Sequence, residues 1–219
     1  MQKATVTEKI QLTDMCFQLT FKVEESFKHK AGQYVSIKIA DVPDSICFRA
    51  YSIASAQTDS HHFELCIKVV PNGRGSNWLN SLEINDGIEF LGPLGELGFD
   101  DSKSNHIFIS TGTGVSPFRA IIYEELKKGN TQPLHLISGF AEKKDELYKE
   151  CLEELKSKYP NFTYDIVIKD YVTTIIEKLD IASGNTNIYL CGNPAMIENT
   201  TTLLKEKGLP AKALHLEKY

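Results

Sequence analysis

The feature that most constrains the fold is a change in the spacing of apolar residues close to position 100. Residues 1–100 hold short stretches in which apolar and polar residues alternate, separated by clusters of Gly, Pro, Asp and Ser. Such alternation is typical of antiparallel strands, and its repetition predicts a small β-barrel. From His106 onward, short apolar runs alternate with helical segments, which predicts a doubly wound parallel sheet.

Two domains follow from this change. We expect an antiparallel β-barrel at residues 1–100 and an α/β domain with a five-stranded parallel sheet at residues 101–219. The strands of that sheet are expected at HIFIS, LHLIS, YDIVI, NIYLC and KALHL. The polar stretch DDSKSN, residues 100–105, is the expected connection, and 219 residues are enough for two domains of about 100 residues each.

Charge and hydropathy exclude several classes of protein. The 24 basic and 29 acidic residues leave a net charge of −5, without the basic stripe that a nucleic-acid partner would require. Apolar runs stay shorter than the roughly 18 residues of a membrane span, and the N-terminal stretch MQKATVTEKI lacks the apolar core of a signal peptide. We therefore expect a cytoplasmic protein, a monomer or weak dimer, that contacts neither nucleic acid nor membrane.

The cysteines indicate an organic cofactor for any redox chemistry. The five are scattered, without the CxxC pair that a zinc or iron–sulfur site would use, so we expect no metal site. Free thiols at such spacing suit a reducing compartment. The positions are Cys16, Cys47, Cys66, Cys151 and Cys191.

The stretch FRAYSIAS, residues 48–55, is unusually polar for a barrel strand. Because alternate residues of a strand share a face, Arg49 and Tyr51 should point one way, and Ala50 and Ser52 the other. Polar groups on both sides of one strand suit a ligand site. The solvated face of an edge strand would carry the same residues.

A glycine-rich turn follows the strand ELCIKVV, and a short helical pattern begins at Ser76. The backbone amides of Gly75 and Ser76 at a helix N-terminus would form a phosphate site. A structural hairpin loop is the alternative interpretation of this turn.

A second glycine-rich turn lies in HIFISTGTGVSPFRA, residues 106–120. The strand is expected to end at Thr111, after which Gly112 and Gly114 allow the backbone to approach a ligand. Ser116 is expected to cap the next helix, with Pro117 at its first position. The pattern indicates a pyrophosphate cradle, although structural turns can share this shape.

The stretch NIYLCGNP, residues 187–194, places Cys191 at the carboxyl end of a buried strand. Ligands of open α/β sheets bind at that end of the strands. Gly192 and Pro194 turn the chain into the next helix. A lone buried cysteine is also compatible with inert packing.

Together with the terminal HLEKY, these motifs resemble the ferredoxin–NADP(+) reductase family in order and approximate spacing, over essentially the whole chain. The resemblance implies a flavoprotein oxidoreductase. It would exchange a hydride between NAD(P)H and FAD, and single electrons with a separate carrier protein, ferredoxin or flavodoxin. A separate carrier is expected because the sequence ends at residue 219 without an iron–sulfur domain.

The resemblance also assigns residues to the flavin site. Arg49 would hold the flavin pyrophosphate, Tyr51 would pack against the isoalloxazine, and Ser52 would lie near flavin N5. The turn at Gly75 and Ser76 would hold the pyrophosphate, which favours FAD over FMN. The further residues assigned to this site are Ala50, Cys66, Ile67, Lys68 and Gly73.

On the nicotinamide side, the resemblance assigns the dinucleotide pyrophosphate to the loop Gly112, Thr113, Gly114 and Pro117. The turn of Cys191, Gly192 and Pro194 would bring the nicotinamide to the flavin. The Glu217 carboxylate would be linked to catalysis, and the ring of Tyr219 would cover the flavin. The residues assigned to catalysis are Ser52, Cys191, Glu217 and Tyr219.

Two questions stay open at this point. The Ser and Arg that many NADPH users carry after the third strand of the nucleotide domain are replaced by Lys169, Asp170 and Tyr171. Lys169 would attract a 2′-phosphate and Asp170 would repel it, so NADP and NAD both remain candidates. Alternative functions are a stand-alone reductase component of an oxygenase and a non-enzymatic flavin-binding subunit for docking or sensing.

Overall fold

The alternating stretches of the first hundred residues form six antiparallel strands. In this computed structural model, residues 1–40, 47–179, 181 and 184–218 are described. A short helix, α1 (Arg74–Ser81), separates the fifth strand from the sixth. The strands are β1 (Gln2–Gln11), β2 (Cys16–Val23), β3 (Tyr34–Ile39), β4 (Cys47–Ser52), β5 (His62–Lys68) and β6 (Gly87–Leu94).

These strands form one sheet in the order β4-β3-β6-β1-β2-β5. The sheet closes on itself through an antiparallel bridge between Ile53, just after β4, and Leu65 of β5. The predicted barrel is therefore confirmed. Within the described residues, β4 forms a ladder with β3 alone.

Aromatic packing fills the barrel. The rings of Phe27, Phe63 and Phe90 are buried, and their centroids lie 5.2–5.4 Å apart. Phe21 stacks on Phe63 at 5.2 Å. Large buried rings of this kind supply most of the apolar area that stabilises a small barrel.

The second half forms a five-stranded parallel sheet with helices, which confirms the predicted α/β class. The strands are β7 (Asn105–Thr111), β8 (Leu134–Phe140), β9 (Phe162–Ile168), β10 (Thr186–Gly192) and β11 (Leu214–Lys218). The helices are α2 (Val115–Lys127), α3 (Lys149–Lys158), α4 (Thr173–Ile176) and α5 (Pro194–Glu206).

The order of this sheet is β11-β10-β7-β8-β9. The chain moves outward in one direction from β7 to β9 and then crosses to β10 on the other side of β7. The carboxyl ends of β7 and β10 therefore flank the point where the direction reverses, which is where open α/β sheets bind ligands.

The two domains share an apolar junction. Ala54, Cys66 and Leu97 of the first domain belong to the same buried cluster as Phe118 and Ile121 of α2. The domain boundary expected near residue 100 stays a prediction. Among the described residues, none of the helices combines the length and apolar composition that crossing a bilayer requires.

Candidate functional site

The polar strand β4 lies along β3, and its residues differ in exposure. Arg49 and Tyr51 lie opposite Ile37 and Val35 of β3, and Ser52 lies opposite Tyr34. Arg49 and Ala50 are exposed, Tyr51 is half-buried and Ser52 is buried. The Arg49 guanidinium donates to the Phe48 carbonyl oxygen at 2.8 Å and, within the described part of the chain, makes no ion pair.

Helix α1 begins against this strand, at Arg74. The prediction that it starts at Ser76 was wrong by two residues, because Gly73 takes an extended conformation and acts as the N-cap. The backbone amide of Asn77 donates to the Gly73 carbonyl oxygen, which closes the first turn. A Cβ built on Gly75 would lie 2.9 Å from Arg49 Cγ and 3.1 Å from Tyr51 Oη.

The hydroxyl of Ser76 stabilises the turn. It accepts a hydrogen bond from the Val70 amide at 3.0 Å and donates to the Gly73 carbonyl oxygen at 3.3 Å. Ser76 therefore lies near the start of α1, but its side chain stabilises the glycine-rich turn.

The residues around Gly75 fit a dinucleotide flavin. A helix N-terminus attracts anions, and a guanidinium beside it adds a charge-assisted donor for a diphosphate. Gly75 leaves room for Arg49 and Tyr51 against the helix. Burial raises the pKa of Tyr51 to about 12, so its ring stays neutral and offers an apolar face with a hydroxyl tip.

Ser52 meets a residue of the other domain. Its hydroxyl donates to Oε2 of Glu217 at 2.8 Å. Glu217 lies in β11, directly beside Cys191 of β10 in the parallel register. Burial raises the pKa of the Glu217 carboxyl, and the hydrogen bond from Ser52 partly opposes this shift.

Three of the four predicted catalytic residues thus lie close together, namely Ser52, Cys191 and Glu217. A Cβ on Gly95 would lie 3.7 Å from Glu217 Oε1 and 2.9 Å from Tyr34 Cδ1, so Gly95 and Tyr34 also border this group. Tyr219, the fourth predicted residue, lies outside the described residues.

The turns after β7 and β10 pack against each other. Gly112 has a φ of +55°, and residues Gly112–Gly114 form one 3₁₀ turn that runs directly into α2. A Cβ on Gly114 would overlap the Cys191 carbonyl group. Gly192 has a φ of +134°, and a Cβ there would lie 2.6 Å from Thr111 Oγ1. Gly114 and Gly192 are both needed for this close approach of the two turns.

The predicted cap of α2 was wrong. The helix starts at Val115 with Gly114 as N-cap, so Ser116 and Pro117 occupy its second and third positions. Gly114 itself has nearly helical dihedral angles, and the 3₁₀ turn therefore continues into the helix without a side-chain cap. Ser116 is buried at the domain junction beside the thiol of Cys66.

The sequence patterns did not identify the two side chains that fix the second turn. The backbone amide of Asn193 donates to Thr111 Oγ1 at 3.1 Å, and Asn193 Oδ1 accepts from the Ala195 amide at 2.8 Å. An Asn before Pro194 is a helix N-cap signature that could have identified Asn193. The role of Thr111 depends on contacts between two distant loops.

A cavity of about 1400 Å³ lies at the carboxyl ends of the parallel strands. Residues of both domains line it, including Lys68 at the end of β5, Thr113 and Pro194. Lys169, Asp170 and Tyr171, which follow β9, border it as well. Its size and its position at the reversal of strand order fit a second dinucleotide.

Two residues of the predicted set turn their side chains away from this surface. Ile67 is buried in the barrel core. Cys66 is buried at the domain junction, where burial raises its thiol pKa to about 12. Strand β5 carries Cys66 and Ile67 at the expected place. Only the backbone of β5 and the side chain of Lys68 can border a ligand there.

Comparison with known proteins identifies the family. Residues 3–99 match the family described as "Oxidoreductase FAD-binding domain", and residues 108–202 match "Oxidoreductase NAD-binding domain". The chain is 30% identical over 213 residues to ferredoxin–NADP reductase B of Sorangium cellulosum, covering 89% of this chain and 87% of that protein. The chain belongs to the ferredoxin–NADP(+) reductase family.

Other family members lead to the same assignment. The chain is 31% identical over 230 residues to the toluate 1,2-dioxygenase electron transfer component of Pseudomonas putida, covering 99% of this chain and 67% of that protein. The structure of ferredoxin–NADP(+) reductase from Plasmodium falciparum superimposes with a TM-score of 0.87 at 24% identity, covering 99% of this chain and 95% of that one. The latter comparison supports the fold.

Membership in this reductase family confirms the predicted class and cofactors. The protein is a flavin-dependent oxidoreductase with an FAD-binding barrel and an NAD-binding α/β domain. The roles assigned to individual residues stay predictions.

Proposed function

We propose that the protein takes electrons from NADPH or NADH onto FAD and passes them to a separate carrier protein of the ferredoxin or flavodoxin type. The observation that carries this proposal is the 2.8 Å hydrogen bond between Ser52 of the flavin-binding domain and Glu217 beside Cys191 of the nucleotide-binding domain. This contact brings together residues that we assign to the two cofactor sites.

In this proposal, each domain holds one dinucleotide. Arg49 and the N-terminus of α1 would hold the diphosphate of FAD, and Tyr51 would contact the flavin. The turn Gly112–Gly114 and the N-terminus of α2 hold the diphosphate of the nicotinamide dinucleotide. Bound FAD supplies the redox chemistry, since it accepts a hydride from the nicotinamide and can release electrons singly.

The chain orients the reacting groups. Hydride transfer requires the two reacting atoms to approach to roughly 3–3.5 Å. Gly114 permits the close contact with Cys191. Cys191 itself is fully buried beside this turn.

Ser52 and Glu217 are suited to hold a proton at this buried end of the cleft. The hydroxyl of Ser52 donates to the Glu217 carboxylate, and burial raises the pKa of that carboxyl. A carboxyl with a raised pKa can take up and release a proton closer to neutral pH than an exposed one. We assign proton exchange during turnover to this pair.

A carrier protein for an oxygenase is a second candidate for the electron acceptor. The name of the Pseudomonas putida relative, a dioxygenase electron transfer component, favours it. A non-enzymatic docking or sensing role is disfavoured, because both halves of the chain match oxidoreductase domain families.

The test is reduction of cytochrome c by the FAD-loaded protein with NADPH or NADH, in the presence and absence of a two-iron ferredoxin or a flavodoxin. A carrier should accelerate the reaction, because it removes electrons singly from the flavin. Ferricyanide is used as a second, small electron acceptor. If the protein reduces ferricyanide but neither ferredoxin nor flavodoxin accelerates the reduction of cytochrome c, the assignment of a carrier of this type is wrong. The variant Ser52→Ala serves as the control, since it should lower all these rates together.

A further inference from the structure

Arg119 of α2 makes two hydrogen bonds to the barrel. Its Nη1 donates to the carbonyl oxygen of Ala54 at 2.9 Å and to Oε2 of Glu64 at 2.6 Å. Both acceptors belong to the barrel. The ion pair is largely shielded, with side-chain exposures of 21% for Arg119 and 26% for Glu64.

A third contact holds the guanidinium from the side of the α/β domain. The carbon at its centre lies 4.5 Å from the centroid of the Tyr148 ring, a cation–π distance. The hydroxyl of Tyr148 donates in turn to Oε1 of Gln18 in β2. Burial acts to lower the pKa of Arg119, but Tyr148 and Glu64 outweigh it and raise that pKa above its usual range.

On the barrel side, Arg119 is attached to the flavin strand. Ala54 lies two residues after Ser52, next to the bridge between Ile53 and Leu65 that closes the barrel. The Ala54 amide donates to the Glu64 carbonyl oxygen at 2.8 Å. Arg119 therefore binds the carbonyl oxygen of Ala54 and the carboxylate of Glu64, whose own carbonyl oxygen accepts from the Ala54 amide.

On the other side, Arg119 is attached to the nicotinamide turn. It is the fifth residue of α2, and the turn Gly112–Gly114 leads directly into that helix. Because Gly114 packs against the Cys191 carbonyl group, a shift of α2 along its axis would move both turns of the nucleotide site. A helix is stiff over this length, so Arg119 and the turn move together.

We propose that Arg119 is a positioning residue, which holds the turn Gly112–Gly114 in register with Ser52 and thereby aligns the two bound cofactors for hydride transfer. This inference rests on the proposed function. A guanidinium is suited to the role because its rigid planar fork can bond a carbonyl and a carboxylate while stacking on an aromatic ring, whereas an ammonium acts as a point charge.

The test compares Arg119→Met and Arg119→Lys with the parent protein by stopped-flow reduction of the flavin. With Arg119→Met, the rate at saturating nicotinamide should fall about tenfold or more, because a misplacement of about 1 Å can cost ~100-fold. The dissociation constant of the nicotinamide should change by no more than about threefold, as expected when alignment rather than binding is lost. Arg119→Lys should recover part of the rate.

Two controls separate positioning from damage to the fold. The double variant Arg119→Met with Glu64→Gln removes the carboxylate that the single variant leaves unpaired, so it should regain stability while the rate stays low. Lys128→Met removes the exposed ion pair of Lys128 with Glu124 near the end of the same helix, and its rate should equal that of the parent.

A readout without nicotinamide completes the test. Amide hydrogen exchange in the segments 52–55 and 112–119 should become faster in Arg119→Met and in the double variant. It should remain unchanged in Lys128→Met. If the double variant regains the parent rate, or if Arg119→Met loses thermal stability but keeps its rate, Arg119 has a merely structural role. If the parent protein is itself not reduced by NADPH or NADH, the proposed function fails and this inference fails with it.

Discussion

The hydroxyl of Ser52, the last residue of β4, donates a 2.8 Å hydrogen bond to Glu217, 165 positions later in the chain. Ser52 belongs to the barrel and Glu217 to the edge strand of the parallel sheet, where it lies beside Cys191. One end of the candidate site is therefore built by both domains, and neither domain could supply it alone.

Glu217 should make stability depend on pH. Burial raises the pKa of its carboxyl above the usual 4.5, although the Ser52 hydrogen bond opposes the shift. Above pH 4.5 the folded protein keeps a proton that the unfolded chain has lost, so stability should fall as the pH rises through the raised pKa. The melting temperature of Glu217→Gln should lack this decrease.

Thermal melts of the two proteins over the same pH series measure the effect. All other groups titrate in both proteins, so the difference between the two curves reports Glu217. Parallel curves would mean that this carboxyl titrates normally.

Replacing Arg49 by Ala should weaken FAD retention. The variant loses a charge-assisted hydrogen bond to the diphosphate, which is worth about 1.5–3 kcal/mol. Fluorescence titration of the apoprotein with FAD gives the dissociation constant. Lys22→Ala, which removes an exposed lysine of β2, is the matched control and should retain the affinity of the parent. An equal affinity in Arg49→Ala would remove this residue from the site.

Replacing Gly114 by Ala should displace the nicotinamide turn. The new methyl group would overlap the Cys191 carbonyl, and overpacking of this kind typically costs about 1–3 kcal/mol. We expect a lower melting temperature and a loss of nicotinamide affinity, measured by equilibrium titration. Gly98→Ala is the control, because a Cβ at Gly98 meets nothing within 4 Å. If both variants bind nicotinamide like the parent, the two turns do not form its site.

Replacing Asp170 by Asn should shift the cofactor preference toward NADPH. Lys169 and Asp170 are both exposed at the border of the nucleotide cavity. Removing the negative charge leaves Lys169 to attract a 2′-phosphate without opposition, so NADPH should bind a few-fold more tightly while NADH binding stays constant. Titrations with both cofactors measure the ratio. A change of equal size for both would place the carboxylate away from the 2′ position.

Local sequence patterns predicted both sheets because strand alternation and the βα rhythm are set by neighbouring residues. The turn of Gly192 and Pro194 was predicted for the same reason. The start of α1 was misplaced because Gly73, rather than a Ser or Asp side chain, acts as its N-cap. The cap of α2 was misplaced because Gly114 extends the helix backward into a 3₁₀ turn.

Contacts between the domains could not be predicted from the sequence alone. The resemblance assigned Glu217 to catalysis, but its hydrogen bond with Ser52 depends on how β11 docks against the barrel. The burial of Cys66 at the junction and the contact of Arg119 with Ala54 depend on the same docking. Periodicity reports which face of an element is buried, and it does not identify the partner that covers this face.

The measurement that tests the central claim most directly is an anaerobic titration of the purified protein with NADPH and, separately, with NADH, followed by absorbance. The protein should carry FAD, released as such on denaturation, and its yellow absorbance should bleach as at least one of the two nicotinamides is added. A preparation that neither contains nor takes up FAD, or a bound flavin that neither nicotinamide reduces, would contradict the account.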